Sequence, residues 1–326
     1  MFKLAILGAG RIGKIHAANA VSDPRISLKY VVDPHAPAAD ELAAQTGATV
    51  ADLDTVFNDP EVAGVIIASS TDTHLDYALR AARSGKAAFC EKPLDMDLER
   101  ARGAAGELSK ANLFLGFNRR FDPNFQALKA KLSEGAVGKL ETLHIISHDP
   151  SPPPVSYVKV SGGLFKDMAI HDFDMARWML GEEPDQVYAA ASCLVDPAIG
   201  VAGDVDTAKI LLRTRSGKIA MISNSRRSGY GYDQRIEAFG SGGMVRAANV
   251  TESTVQVWTE TGAADDRFQN FFLDRYKDAY RQEMAHFAAI VAGEAKPSVG
   301  YADGVAALAL AEAAGESART GMPVSL

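Results

Sequence analysis

The chain has 326 residues, of which 47% are hydrophobic and 23% charged, and its net charge is −7. This length exceeds that of one typical domain, so we expect two domains. The negative charge provides no basic field for a phosphate backbone, which argues against nucleic acid as a partner. Two cysteines without CxxC spacing, Cys90 and Cys193, indicate neither a disulfide framework nor a zinc site and fit a reducing cytoplasm. No apolar run is long enough to predict a membrane span.

Short apolar runs alternate with helical patterns over the first 118 residues. The predicted strands are 3–7, 28–32, 62–68, 87–90 and 113–117, and the helices between them are 12–21, 38–45, 73–84 and 97–110. Gly47 follows the second helix, where glycine commonly ends helices. Alternating strands and helices with short connections predict a doubly wound parallel sheet, the Rossmann arrangement.

The pattern changes after residue 118. The predicted strands there are 140–147, 187–194, 207–214, 218–224 and 235–239, and the helices are 123–134, 164–180, 278–292 and 303–320. Short turns separate the last three strands, which predicts an antiparallel meander. We therefore expect an N-terminal α/β domain over 1–118 and a C-terminal α+β domain over 119–326 with a large, mostly antiparallel open sheet.

A glycine-rich turn follows the first predicted strand and opens the first helix. Gly8, Gly10 and Gly13 form the pattern GxGxxG, which allows a tight turn, close approach of the backbone to a pyrophosphate, and close helix–strand packing. Asp33 ends the second strand 20 residues after Gly13. A carboxylate there can bind ribose hydroxyls and repel a 2′-phosphate, so the pattern favours NAD over NADP. Arg11 could pair with the pyrophosphate or be solvated.

Five longer motifs occur in order along almost the whole chain: GAGRIGKIH from Gly8, FCEKPL around Lys92, GFNRRFD from Gly116, SGGLFKDMAIHDFD from Ser161 and YGYDQR from Tyr230. On these motifs the sequence resembles the glucose-fructose oxidoreductase/inositol dehydrogenase/rhizopine catabolism (Gfo/Idh/MocA) family, and within it the bacterial inositol 2-dehydrogenases. The resemblance implies a cofactor site formed by Gly8, Gly10, Arg11, Ile12, Gly13, Asp33, Ser69, Thr71, His74, Glu91 and Lys92. The loop at Ser69 departs from the Thr-Pro or Thr-Asn of many relatives, so its contacts could differ.

Lys92 follows a strand at the carboxyl edge of the predicted sheet, where open α/β folds bind ligands. The resemblance implies that it reaches between nicotinamide and substrate. An ammonium there would hydrogen-bond the reacting hydroxyl and favour its alkoxide-like form as hydride leaves. The alternative is a surface lysine beside a turn proline.

Asp167 and His171 are four residues apart in a predicted helix and so share one face. Histidine suits removal of a proton from an alcohol because its unperturbed pKa lies near neutrality. The resemblance implies that His171 is the general base and that Asp167 orients or tunes it. Asp172 and Asp174 lie on other faces and either contact substrate or, as we favour, play a structural part.

A ring with many hydroxyls must be bound by many hydrogen bonds. By resemblance, the substrate-binding residues are Lys92, Asp167 and His171 together with Asn118, Arg119, Asp149 and Tyr232. Three of the last four have simpler interpretations: Arg119 as a solvated charge, Asp149 as part of an Asp-Pro turn, and Tyr232 as sheet packing.

The function that the resemblance implies is NAD-dependent oxidation of a secondary hydroxyl of a cyclitol, myo-inositol to 2-keto-myo-inositol. The alternatives are another inositol isomer or an aldopyranose, an NAD-dependent glycoside hydrolase, and a non-catalytic NAD sensor. The histidines and cysteines form no metal-ligand pattern, so we predict no metal. We expect no membrane partner, a cytoplasmic location, and a homo-oligomer, dimeric or tetrameric, assembled through the open sheet.

Overall fold

The computed structural model describes all 326 residues and divides into two compact units. Unit 1 comprises Met1–Phe121 and Ala279–Leu308, and unit 2 comprises Asp122–Asp278 and Ala309–Leu326. No helix combines the length and apolar composition needed to cross a membrane.

Unit 1 contains a six-stranded sheet in which every neighbouring pair is parallel. Its order is β3-β2-β1-β4-β5-β6, so the chain winds outward in both directions from β1. The central strands are buried on both faces, which explains their uninterrupted apolar runs. The strands are β1 (Phe2–Leu7), β2 (Ile26–Val32), β3 (Thr49–Val50), β4 (Val62–Ile67), β5 (Ala87–Cys90) and β6 (Leu113–Leu115).

The helices that follow these strands agree with the predicted alternation. Gly47 ends the second helix in the left-handed conformation, with φ of 73°. The predicted helix 97–110 is interrupted at Ala104, where the backbone leaves helical geometry. The helices are α1 (Arg11–Ser22), α2 (Ala36–Thr46), α3 (Leu53–Asn58), α4 (His74–Arg83), α5 (Leu98–Gly103) and α6 (Ala105–Leu108).

Unit 2 contains a seven-stranded, mostly antiparallel sheet, as expected. Its strands are β7 (Leu140–His148), β8 (Pro184–Ser192), β9 (Thr207–Thr214), β10 (Ile219–Ser225), β11 (Asp233–Gly240), β12 (Gly243–Ala247) and β15 (Val324–Ser325). A separate hairpin is formed by β13 (Gln256–Thr259) and β14 (Gly262–Asp265).

The predicted meander of the last three strands is wrong in one respect. The order of the sheet is β12-β11-β7-β10-β9-β8-β15. β9 and β10 pair as expected, but β7 lies between β10 and β11 and runs parallel to β10. Strand order across a sheet depends on long-range pairing, which the short turns between neighbouring segments do not report.

Unit 2 also contains the helices α7 to α11. The predicted helix 164–180 begins with a π-helical stretch, Leu164–Ala169, and continues as an α-helix. Here the helices are α7 (Pro123–Ser133), α8 (Val155–Ser161), α9 (Ile170–Leu180), α10 (Pro197–Val201) and α11 (Phe272–Arg275). Two longer helices, α12 (Lys277–Val291) and α13 (Tyr301–Thr320), precede the last strand, β15.

Candidate active site

The glycine-rich turn between β1 and α1 leaves no room for side chains at two positions. Gly8 has φ of 108°, and a Cβ there would lie 2.4 Å from the carbonyl oxygen of Ala68. A Cβ on Gly13 would lie 2.0 Å from the carbonyl oxygen of Gly8. At Gly10 a Cβ would meet no atom within 4 Å, so the backbone faces open space. Because α1 begins here without a side-chain cap, its first N–H groups can bind a phosphate.

Asp33 lies directly after β2 and is tied to the same turn. One carboxylate oxygen accepts a hydrogen bond from the N–H of Ala9 at 2.7 Å, and the other accepts one from the N–H of His35 at 2.8 Å. The residue is half-buried, and each oxygen has a further lone pair that a ribose hydroxyl can use. The turn and Asp33 therefore fit the pyrophosphate and adenosine ribose of NAD. At the start of α1, Arg11 is exposed and Ile12 is half-buried.

His74 connects the loop after β4 with the loop after β5. Its buried ring places Nδ1 2.8 Å from the carbonyl oxygen of Pro93 and Nε2 3.2 Å from that of Ser69. The hydroxyl of Ser69 is bonded to that of Thr73 at 2.6 Å, and Thr71 is half-buried in the intervening turn. The ring of His74 therefore lies between the two loops, with a carbonyl oxygen from each within hydrogen-bond distance of one ring nitrogen.

Glu91 lies at the end of β5 in a narrow space. Its Oε1 accepts a hydrogen bond from Nε2 of His16 at 2.6 Å, and its Oε2 lies 3.3 Å from the N–H of Lys92. A Cβ on Gly116 would approach the Glu91 carboxyl carbon to 3.1 Å, so glycine leaves room for this carboxylate. Burial would raise the pKa of Glu91, but the hydrogen bond from His16 and the charges of His16, Lys92 and His74 lower it below its usual value.

A second acid, Glu283, lies near the pair formed by His16 and Glu91. Glu283 on α12 is completely buried, and neither carboxylate oxygen has a hydrogen-bond partner. Burial, with the charge of Glu91, raises the pKa of Glu283 well above its usual value. Tyr280 and Phe287 on the same helix pack against the rings of His16 and Phe89, with centroid distances of 5.8 and 5.7 Å. Burial therefore favours the neutral form of Glu283, whereas the surroundings of Glu91 favour its ionised form.

Lys92 itself is half-buried, and its peptide bond to Pro93 is cis. The loop after β6 places Asn118 and Arg119 in a short 3₁₀ turn, where both are 5% exposed. The interpretation of Arg119 as a solvated charge is therefore wrong. The neighbouring Arg120 forms an ion pair with Asp303 at 2.9 Å.

In unit 2, Asp167 lies in the π-helical stretch and His171 in the first turn of α9, and both are half-buried. Asp167 is held from two sides. Its Oδ1 accepts a hydrogen bond from the hydroxyl of Tyr157 at 2.9 Å, and its Oδ2 accepts one from Nη2 of Arg226 at 3.2 Å. The Nη1 of Arg226 lies 3.8 Å from Oδ2 of Asp149. One guanidinium therefore joins two residues that the sequence assigned to the substrate site.

Asp172 and Asp174 are buried within unit 2. Asp172 accepts a hydrogen bond from the amide of Asn224 at 2.8 Å, and Asp174 lies 3.7 Å from the guanidinium of Arg177. These contacts support the structural role that the sequence favoured for both.

Tyr232 directly precedes β11 and is 7% exposed. Its N–H donates to the carbonyl of Gln269 at 3.0 Å, and its ring meets that of Tyr276 edge to face, with centroids 6.0 Å apart. The next residue, Asp233, is completely buried and accepts hydrogen bonds from Tyr230, Asn249 and Arg235, each at 2.7 Å. This cluster fixes the chain on the C-terminal side of Tyr232.

Four polar residues that contact the predicted site residues, or lie near them, were not predicted from the sequence. They are His16, Tyr157, Arg226 and Glu283. His16 lies in the first quoted motif, and Arg226 follows a strand that ends beside Asp149; both positions are signals that could have been used. Tyr157 and Glu283 carry no local signal, because only the tertiary fold brings them to their partners.

Comparison with known families covers both halves of the chain. Residues 2–118 match the oxidoreductase family with an NAD-binding Rossmann fold, and residues 125–246 match the GFO/IDH/MocA C-terminal domain. The chain belongs to the GFO/IDH/MocA family. The predicted family, enzyme class and NAD cofactor are thereby confirmed, as is the predicted fold class.

Individual members of the GFO/IDH/MocA family match over nearly their full length. The chain is 46% identical to an inositol 2-dehydrogenase of Rhizobium meliloti, covering 99% of both chains. It is 45% identical to a myo-inositol 2-dehydrogenase of Thermotoga maritima, covering 97% of this chain and 96% of that one. A crystal structure of Lactobacillus casei scyllo-inositol dehydrogenase with bound NAD(H) and scyllo-inositol is 28% identical, with a TM-score of 0.91 and coverage of 100% and 99%.

Proposed function

We propose that this oxidoreductase uses NAD to oxidise one secondary hydroxyl of a cyclitol, and that its reaction is the conversion of myo-inositol to 2-keto-myo-inositol. The observation that carries the proposal is sequence identity of 46% and 45% to inositol 2-dehydrogenases over nearly the whole chain. In addition, the chain has a lysine, an aspartate and a histidine suited to alcohol oxidation at Lys92, Asp167 and His171.

Bound NAD would supply the acceptor for the hydride that leaves the carbon carrying the reacting hydroxyl. We assign to His171 the removal of the hydroxyl proton, and to Lys92 a hydrogen bond that stabilises the negative charge developing on the oxygen. Asp167 orients His171 and stabilises its protonated ring. The products are the ketone, NADH and one proton, which His171 passes to solvent.

The remaining assignments belong to the same proposal. Asn118, Arg119, Asp149 and Tyr232 bind the other hydroxyls of the ring, because a polyol is distinguished by many hydrogen bonds. We also propose that residues 1–118 form the NAD-binding domain and that residues 119–326 form the substrate-binding domain. Two free thiols, Cys90 and Cys193, support a reducing, cytoplasmic location.

The test is a substrate panel assayed side by side with NAD and NADP. We expect NADH formation with myo-inositol and little reaction with NADP. His171→Ala should lower turnover by about two to four decades, the usual scale of an acid–base group, with NADH binding retained. If no cyclitol reduces NAD, the proposal is wrong. Turnover of a glycoside without net NADH release would indicate a hydrolase instead, and NAD binding without any turnover would indicate a sensor.

The open face of the sheet in unit 2 supports the proposal of a homo-oligomer, either a dimer or a homotetramer. Tyr188, Leu211 and Met221 are directly paired across β8, β9 and β10, so they share one face. They are 39%, 43% and 39% exposed. An exposed apolar row of this kind on an open sheet can pack against a second copy of the chain.

A further inference from the structure

Arg226 is a buried cation next to the proposed general-base machinery. It follows β10 directly, and its N–H donates to the carbonyl of Asp206 at 2.9 Å. Only 2% of its side chain is exposed. A guanidinium is rarely buried to this extent unless carboxylates compensate for the lost hydration.

The carboxylates that compensate Arg226 come from two different segments. Asp167 belongs to the π-helical stretch before α9, and Asp149 follows β7, where its N–H donates to the carbonyl of Ser225 at 2.8 Å. The two terminal nitrogens of Arg226 lie 3.2 Å from Asp167 and 3.8 Å from Asp149. The fork of a guanidinium is rigid and planar, so its hydrogen bond orients Asp167 relative to β10, while its charge attracts Asp149 at the longer distance.

Tyr157 completes the hold on Asp167. Its hydroxyl donates to the oxygen that Arg226 does not contact, at 2.9 Å. Because each oxygen accepts a hydrogen bond, the carboxylate of Asp167 cannot rotate without losing one. Hydrogen bonds to a charged group are stronger than those between neutral groups, so these two donors favour this orientation of the carboxylate.

We propose that Arg226 is a positioning residue for alcohol oxidation. It holds Asp167 in the orientation that supports His171, and its charge keeps Asp149 beside the same guanidinium. This inference rests on the proposed function, because it assigns Arg226 a role in that reaction. Arg226 takes no proton and acts through Asp167, and small displacements of catalytic groups are costly: a shift of about 1 Å can lower a rate about 100-fold.

The first test compares Arg226→Met, which removes the charge, with Arg226→Lys, which retains it without the fork. For Arg226→Met we expect kcat to fall about 10- to 100-fold, with the Kd for NADH unchanged and the KM for the cyclitol changed less than kcat. Arg226→Lys should recover part of kcat. The matched control is Arg227→Met, at the exposed neighbouring position, which should behave as the wild type. A kcat of Arg226→Met within twofold of the wild type would overturn the inference.

The second test asks whether Arg226 acts through Asp167. We expect Arg226→Met to have little further effect on kcat once Asp167→Asn is present, because residues that act as one unit are not additive. Fully additive losses would contradict the assignment. Circular dichroism and NADH binding identify any variant that fails to fold, in which case Arg226→Lys serves for the same cycle.

The coupling between the Arg226 and Asp167 substitutions can also be measured without any substrate, from their effects on the free energy of unfolding. A wild type that oxidises no cyclitol would refute the proposed function, and with it the catalytic role of Arg226. An active wild type whose Arg226 and Asp167 substitutions show no coupling, in either kcat or unfolding, would refute this inference alone.

Discussion

The buried ring of His16 donates a hydrogen bond of 2.6 Å to the carboxylate of Glu91, and so connects the helix that follows the glycine-rich turn with the residue before Lys92. His16 is completely buried, and the Glu91 side chain is 14% exposed. The segment that bears the proposed catalytic lysine is therefore anchored to the helix that begins the cofactor site.

Replacement of His16 tests this anchor. His16→Leu removes the donor and leaves Glu91 a poorly solvated anion, so we expect a loss of about 1–3 kcal/mol in the free energy of unfolding relative to His16→Gln, which can keep a donor near Nε2. Urea denaturation at pH 7 measures the difference. Equal stability of the two variants would show that the hydrogen bond contributes nothing.

Glu283 predicts a dependence of stability on pH. Because its pKa is raised in the folded protein, the folded state binds this proton more tightly than the unfolded state does. The contribution of this proton to the free energy of unfolding is fully present below the usual carboxyl pKa. It is lost as the pH rises toward the pKa of Glu283 in the folded protein, by up to about 1.4 kcal/mol per pH unit. We expect Glu283→Gln, which is always neutral, to become increasingly stable relative to the wild type between pH 5 and 8.

The control for Glu283 is Glu294→Gln, at an exposed position shortly after the same helix. Its stability relative to the wild type should not follow the same pH trend. Denaturant unfolding across the pH series measures both variants. A constant difference between Glu283→Gln and the wild type would mean that Glu283 is not held neutral.

Asp33 should determine the choice between NAD and NADP. Asp33→Ser removes the charge that repels a 2′-phosphate, together with the acceptor for ribose hydroxyls. We expect the preference for NAD over NADP in kcat/KM to fall at least about tenfold, equivalent to about 1.4 kcal/mol. Asp33→Asn keeps an acceptor for the N–H of Ala9 and separates the effect of charge from that of the turn. An unchanged preference in both variants would contradict the assignment.

The open sheet face should determine the oligomeric state. Leu211→Glu places a charge in the middle of the exposed apolar row, so we expect the oligomer to dissociate into smaller species, because burying a charge in an apolar contact is costly. Light scattering coupled to size-exclusion chromatography measures this. Val201→Glu, at a position that is 90% exposed on α10, is the control and should leave assembly intact. Two variants with the wild-type mass would remove the support for this interface.

Much of unit 1 could be predicted from the sequence, because parallel strands buried on both faces are wholly apolar and their helices carry the usual end signals. Gly47 and the run Val62–Ile67 are examples. In unit 2 the strands were found, but their order was not. The position of β7 between β10 and β11 depends on backbone pairing between distant segments, which leaves no trace in local pattern.

The candidate site divides in the same way. The glycines and Asp33 follow from local spacing, and the structure gives them the expected surroundings. Glu91 was assigned to the cofactor, and its partner His16 was not foreseen. Likewise, the sequence proposed Asp149 and Asp167 separately, and only the fold shows that Arg226 joins them. Contacts between charged side chains on different elements are properties of tertiary structure.

The place of β7 in its sheet has a consequence for folding kinetics. Its two neighbours, β10 and β11, come much later in the chain, whereas β8 with β9, β9 with β10, and β11 with β12 are sequence neighbours that can pair early. Closing a long loop costs chain entropy before the new contacts compensate for it. The insertion of β7 between these preformed strand pairs is therefore expected to be the slow step in forming unit 2. Until β7 is inserted, it is the strand most exposed to pairing with a wrong partner.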